Sequence, residues 1–182
     1  MSLPHAILGL LQSEPMTGYD LKTREFDQSI AHFWPADQAQ IYRTLDKMTE
    51  EGWVESHVEI QQDRPNRKVY SLTDAGRAEL QRWLATPQAL PVYREPFLIQ
   101  IFFAKDLPNE KIIRLLQEQL EGHQARLAHY RQIPLPTLDE LKDNRDLTLQ
   151  RLTLELGIRI EQAYIDWLEM SLAVVRDLKD NR

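Results

Sequence analysis

The chain has 182 residues, with 22 basic and 28 acidic side chains for a net charge of −6, and no cysteine. That length accommodates one large or two small domains, and the missing thiol excludes disulfides, thiolate metal sites and cysteine nucleophiles. No apolar run approaches the ~18 residues of a membrane span and the N-terminus lacks a charged region and cleavage site, so a cytoplasmic protein is expected.

Residues 3–12, LPHAILGLLQ, predict a first helix with Ile7, Leu8, Leu10 and Leu11 buried and His5 at the surface or a cap. His5 has no second ligand nearby, so no metal site is assigned to it. Thr17 caps a second helix, and Asp20 three residues on supplies the reciprocal acid of a capping box. Tyr19 and Lys22 fall in the first turns of that helix, where a helix-turn-helix crosses the phosphate backbone, although Tyr19 suits core packing equally well. Leu21, Phe26, Ile30 and Phe33 are expected to pack toward the next helix.

Residues 35–52 carry that helix. Pro35 suits its entry, Asp37 and Gln38 open it, and Ile41, Leu45 and Met48 form one buried stripe. Gly52 ends it, with Trp53 folding back on the last turn. Ala39 and Arg43 point away from the apolar stripe, flanked by Gln40 and Lys47 on one side and Tyr42 and Asp46 on the other. Donors therefore crowd the first two exposed turns, together with Gln38, and the acids Asp46, Glu50 and Glu51 sit toward the far end. A helix entering a major groove N-terminus first needs that polarity; an ordinary solvated face would look similar.

Val54, Ser56, Val58 and Ile60 alternate with Glu55, His57 and Glu59 as in a half-buried strand, and Tyr70 and Leu72 mark the return strand. Between them QQDRPNRK is turn chemistry with Arg64, Arg67 and Lys68 as cations and Asn66 at the tip. A cationic hairpin beside an exposed polar helix suits phosphate contacts. These are the recognition helix and wing of a winged helix-turn-helix. Residues 1–86 nevertheless hold 9 basic and 13 acidic side chains, so only a local basic footprint can serve DNA, with strong salt dependence.

Thr73 caps a fourth helix, TDAGRAELQRWL, with Leu80, Trp83 and Leu84 on one side. Pro87, Pro91 and Pro96 then interrupt helix formation and place a domain boundary near residue 90. In residues 108–132, Ile113, Leu116, Leu120, His123, Leu127 and Tyr130 are spaced as a heptad seam, with His123 as a packing residue. Pro134 and Pro136 let the chain turn back. A last helix, roughly 138–179, carries two apolar stripes. One holds Leu149, Leu152, Leu156, Ile160, Ala163, Trp167, Met170 and Val174; the other holds Leu154, Ile158, Ile165, Leu168, Leu172 and Val175. A helix apolar on two sides needs two partners. The preceding helix can cover one and a second subunit the other, and the stripe from Leu154 to Val175 is assigned to dimerisation. Glu161 interrupts that stripe and is expected at its edge or against a basic partner.

The segments LPHAILGLL at the start, TGYDLK at 17–22, QIYRTLDKMTEEGWVE at 40–55, RKVYSLTDAGRAEL at 67–80 and LELGIRIEQAYIDWLE at 154–169 resemble the PadR family of transcriptional regulators. The resemblance is to the subfamily with a helical C-terminal domain like that of virulence-gene activators, and it spans nearly the whole chain. It implies a mainly α protein: a winged helix-turn-helix of three to four helices plus a two-stranded wing at 1–88, then a long, coiled-coil-like helical dimerisation domain at 89–182. It also implies control by a small aromatic effector in some members. Trp83, Tyr93, Phe97 and Trp167, with Phe102, Phe103 and Tyr130, are candidates to wall such a pocket, or are simply core.

No phosphate-binding glycine loop, HExxH pair or nucleophile elbow is present, so no enzyme is expected, and no cofactor or metal. The expected partners are double-stranded DNA, a second copy of the chain and an aromatic effector. The protein is expected to act as a homodimeric regulator, a repressor, on a pseudo-palindromic operator. The alternative is a dimeric winged-helix module that binds protein and does not read DNA, which the acidic balance would suit.

Overall fold

The computed structural model describes residues 2–60, 66–141 and 143–179. The chain divides into two compact units, Met1–Leu90 and Pro91–Arg182. Among the described residues no helix is long and apolar enough to cross a membrane.

The first unit begins with α1 (Leu3–Leu10) and β1 (Met16–Thr17). Next comes α2, a helical turn over Gly18–Asp20 that continues as a wider π-helix over Leu21–Ile30. The unit is completed by α3 (Gln38–Glu50), β2 (Val54–Glu59), β3 (Arg67–Leu72) and α4 (Asp74–Leu84). The three strands form one antiparallel sheet in the order β1-β3-β2, with Met16 opposite Tyr70 and Val54 opposite Leu72. Ile7, Leu8, Leu21, Phe26, Ile41, Leu45, Met48, Val54, Tyr70 and Leu80 fill a single core between helices and sheet.

Local chemistry explains the element ends. Asp37 caps α3 in a reciprocal box: its carboxylate accepts from the Gln40 N–H at 2.7 Å, and the Gln40 amide oxygen accepts from the Asp37 N–H at 3.2 Å. At the other end Gly52 adopts φ +72°, and the N–H groups of Gly52 and Trp53 donate to the carbonyls of Thr49 and Met48. That is a Schellman closure, and it requires the glycine. Thr73 caps α4 by accepting from the Gly76 N–H, and its hydroxyl donates back to the Gly52 and Trp53 carbonyls. A Cβ on Gly76 would lie 2.0 Å from the Trp53 oxygen, so this corner admits no side chain.

Several expectations are corrected in this unit. The sheet has a third strand, β1. α1 stops at Leu10 and Leu10 is only half-buried. His5 is not a surface residue. It is 9% exposed, its Nε2 lies 2.9 Å from Glu79 Oε1, and its ring stacks on Trp83 at 4.5 Å and 10°. Phe33 and Leu84 are exposed rather than packed. Of the apolar positions in the first wing strand only Val54 is buried; Val58 is 59% and Ile60 85% exposed, because the hairpin runs out past the core beyond the pairs that Tyr70 and Val69 make with Ser56 and His57.

The second unit holds α5 (Pro96–Phe102), a 3-10 turn (Ala104–Asp106), α6 (Asn109–Gln132) and α7 (Arg145–Asp177). α6 and α7 pack along each other. On the expected seam Leu116, Leu127 and Tyr130 are buried and Ile113, Leu120 and His123 half-buried, with Ile112 also turned inward. α7 begins later than expected, because the Asn144 side chain accepts from the Leu147 N–H at 3.1 Å and caps it there.

The stripe assigned to dimerisation is corrected as well. Leu154, Ile165, Leu168 and Leu172 are buried and Ile158 and Val175 half-buried within the protomer itself, where Leu168 and Leu172 share a core with Phe97, Ile112 and Leu116. The other stripe stays open, with Leu149, Leu152, Leu156, Ile160, Met170 and Val174 exposed. Glu161 is 4% exposed and does find basic partners: His123 Nδ1 lies 2.6 Å from Oε2 and Arg126 Nη1 donates to Oε1 at 3.3 Å.

Candidate nucleic-acid interface

The capping box fixes where α3 starts, and burial of Ile41, Leu45 and Met48 fixes which way it faces. Each of these three side chains is fully buried, and each contributes roughly 1.5–3 kcal/mol by leaving water. Gln38, Ala39, Gln40, Arg43 and Lys47 are consequently exposed. Tyr42 is half-buried against α2, where a Cβ on Gly18 would come within 2.6 Å of its ring. Its ring therefore fixes the approach of the two helices. The Gln40 side-chain oxygen is engaged in the cap, which leaves its NH₂ as the donor for a ligand. Arg43 has no ion pair among the described residues.

α2 presents Tyr19, 60% exposed, beside its first turn. Lys22 is held by Asp27. Asp20 closes the turn by accepting from the Thr17 hydroxyl at 2.7 Å and the Thr17 N–H at 3.3 Å.

The wing is tied to both helices. Arg67 Nη2 donates to Asp20 Oδ2 at 2.7 Å, and Lys68 Nζ lies 3.7 Å from Asp46 Oδ1 and 5.1 Å above the Tyr70 ring. Burial works against ionisation of Asp20, but the Thr17 hydrogen bonds and the Arg67 charge outweigh it and hold the carboxyl below its ordinary value. The Tyr70 side chain, then Asp46, hold the Lys68 ammonium above its ordinary value. Asp20 is thus held as a carboxylate and Lys68 as an ammonium at neutral pH. Asn66 is exposed beside them; Arg64, the third expected cation, lies outside the described residues. Sequence reasoning missed Asp20 and Asp46 as wing partners, since the pairs span 47 and 22 positions and only the folded register of β3 brings them together.

The residues proposed to wall an effector pocket separate into different settings. Trp83 is instead the stacking partner of His5 in the first unit. Tyr93, Phe102 and Phe103 are exposed and Tyr130 is buried in the helical pair. Phe97 and Trp167 do meet, edge to face at 6.2 Å and 82°. Beside Trp167 runs an open groove of about 370 Å³ lined by Leu98, Ile160, Ala163, Tyr164 and Trp167. Tyr164, missed in sequence, stacks on His123 at 4.2 Å, and its neighbours Ile160 and Ala163 belong to the open stripe of α7. Among the described residues no group of three His, Asp or Glu side chains could hold a metal ion.

Comparison with known proteins finds two family matches along the chain. The PadR-like family of transcriptional regulators matches residues 7–82, and the C-terminal domain family of virulence activators matches residues 93–176. The chain is 32% identical to the negative transcriptional regulator PadR of Bacillus subtilis, over 95% of this chain and 97% of that one. A structure of that protein in complex with operator DNA superposes with a TM-score of 0.82 at 31% identity, over 96% and 99% of the two chains. A second, in complex with p-coumaric acid, gives 0.77 at 30% identity over 97% and 100%. The Vibrio cholerae virulence activator AphA gives 0.77 at 35% identity over 96% and 98%. The relatives are regulators rather than enzymes, and this chain belongs to the PadR family of transcriptional regulators, with a C-terminal domain of the virulence-activator type.

Proposed function

We propose that the protein is a repressor that binds a pseudo-palindromic operator as a homodimer, with the exposed face of α3 in the major groove and the wing on the flanking phosphates. The observation that carries this reading is the exposed side of α3. Gln38, Gln40 and Arg43 are presented from a capped N-terminal half, while the acids lie toward the C-terminal end. Arg43, long, planar and uncommitted among the described residues, suits bidentate contact with a guanine edge. Tyr19 and Lys22 suit the backbone, as do Arg64, Asn66, Arg67 and Lys68 of the wing. The operator complex and negative-regulator name of the Bacillus subtilis relative support the same assignment.

The open stripe of α7 supports a second copy as partner. Leu149, Leu152, Leu156, Ile160, Met170 and Val174 are spaced for helix packing and exposed in the protomer. A twofold dimer would carry two α3 helices to half-sites one helical turn apart. The groove beside Trp167 has the volume of a small-ligand site, and the p-coumaric acid complex of the relative supports a planar aromatic effector. Such a ligand would act by favouring dimer geometries in which the two helices no longer match successive grooves.

Salt titration against DNA from immediately upstream of the protein's own gene, with scrambled DNA alongside, tests the function. Sequence-selective binding with a steep salt slope and two protomers per site is expected. No selectivity at any salt, on this DNA or on genome-selected fragments, would favour a protein-binding winged-helix module instead.

A further inference from the structure

Five cations assigned to the DNA-facing surface are described, and four of them are held by carboxylates of the same chain. Lys22 pairs with Asp27 and Lys47 with Glu51, each with a residue four or five positions along the chain. The other two pairs cross between elements: Arg67 of β3 with Asp20 of α2 at 2.7 Å, and Lys68 of β3 with Asp46 of α3 at 3.7 Å. Arg43 alone of the five has no carboxylate partner among the described residues. The surface proposed to meet DNA is therefore nearly neutralised in the free protein.

We infer that Asp20 and Asp46 are resident competitors for DNA phosphate: they occupy Arg67 and Lys68 in the free protein, and duplex binding exchanges each carboxylate for a phosphate oxygen. The inference rests on the proposed DNA-binding function. A carboxylate and a phosphate present the same kind of anionic acceptor to a guanidinium or an ammonium, so the two compete for one donor set. The exchange is feasible because both cations are open to solvent, Arg67 44% and Lys68 47% exposed, although Asp20 is itself only 17% exposed against 65% for Asp46; exposed pairs are individually weak. A phosphate also brings a release of counterions that an internal carboxylate does not.

Asp46 is the more telling of the two. It sits on an exposed part of α3 and its one ion pair among the described residues is with Lys68, so it has no evident structural duty there. Asp20 also closes the Thr17 cap. Together they give an acid-rich unit a reason to place acids beside its wing: they lower affinity for any duplex, so that the protein leaves DNA unless the remaining contacts are good.

The test is a pair of double-mutant cycles on the full chain, read by anisotropy of a fluorescein-labelled random-sequence duplex and of a duplex from upstream of the protein's own gene, at fixed low salt. Asp46→Asn is expected to tighten binding about two- to fivefold, the range one exposed ion pair can supply, and to give no gain when Lys68→Ala is already present. Asp20→Asn, whose amide oxygen can still accept from Thr17, is expected to behave in the same way against Arg67→Ala. No tightening by Asp46→Asn, or equal tightening with and without Lys68, overturns the inference, the second result reducing the effect to net charge. If Asp20→Asn fails to fold, the Asp46 cycle decides alone. Failure of every protein, wild type included, to bind either duplex overturns the DNA-binding function and this inference with it; binding by wild type with a null cycle overturns only the inference.

Discussion

Glu161 Oε2 lies 2.6 Å from His123 Nδ1, so a carboxylate almost wholly withdrawn from water joins α7 to α6. Arg126 donates to its second oxygen at 3.3 Å and the His123 ring is backed by Tyr164. Charge this deep persists only when hydrogen-bonded. Glu161→Ala should therefore cost about 2 kcal/mol of unfolding free energy, and Glu161→Gln, which keeps an acceptor, should cost less. Denaturant unfolding of the three proteins checks this; equal stability of Glu161→Ala and wild type would mean that the pair is merely tolerated.

Glu79 gives a pH prediction. Hydrogen bonds from Arg82 at 2.6 and 2.8 Å, and then the His5 ring at 2.9 Å, lower its carboxyl from 4.5 to about 2. A carboxylate whose value is depressed on folding contributes stability that is complete above its unfolded value and is lost as pH falls through the folded one. The wild type should then lose more thermal stability between pH 4.5 and 2 than Glu79→Gln does. Parallel melting curves for the two proteins across that window would show that the α1–α4 contact does not depend on this charge.

The N-terminal unit was largely legible because its signals are local. The period of Ile41, Leu45 and Met48, the Asp37 and Thr73 caps and Gly52 each specify a neighbour within a few residues. What failed needed tertiary information. β1 is two residues long and has no period to read. The alternation of Val58 and Ile60 is real, but alternation does not say whether a covering layer reaches the outer end of the hairpin. His5 looked peripheral because polarity was taken for exposure, whereas Glu79 and Trp83 on α4, more than 70 positions away, engage its Nε2 and its ring face inside. Both stripes of α7 were visible, but not which of them the protomer itself buries. Which one α6 covers depends on how the two helices rotate against each other, and periodicity leaves that open.

On DNA, Arg43→Ala should weaken binding to the operator by roughly 1–3 kcal/mol if it reads a base, and binding to random duplex by much less. Equal losses on both duplexes would reduce Arg43 to a phosphate contact. Lys68→Ala should instead lower affinity about uniformly and reduce the salt slope by about one unit; an unchanged slope would remove Lys68 from the phosphate contacts.

The open stripe of α7 makes a separate prediction. Ile160 is 45% exposed in the protomer, so Ile160→Glu should leave the fold and its melting temperature nearly intact. An uncompensated charge buried in an apolar interface is costly, so the dimer should dissociate and operator affinity should fall with it. Sedimentation at several protein concentrations reads the outcome. A dimer as stable as wild type would place the second copy on another face.

The most direct test of the account is selection of bound duplexes from a random-sequence library by the full-length protein, repeated with Arg43→Ala. A pseudo-palindromic motif whose half-sites lie about one helical turn apart is expected, with preference relaxed at one position of each half-site in the variant. Enrichment of no common motif by the wild type, or a motif unchanged in the variant, would contradict base reading by α3.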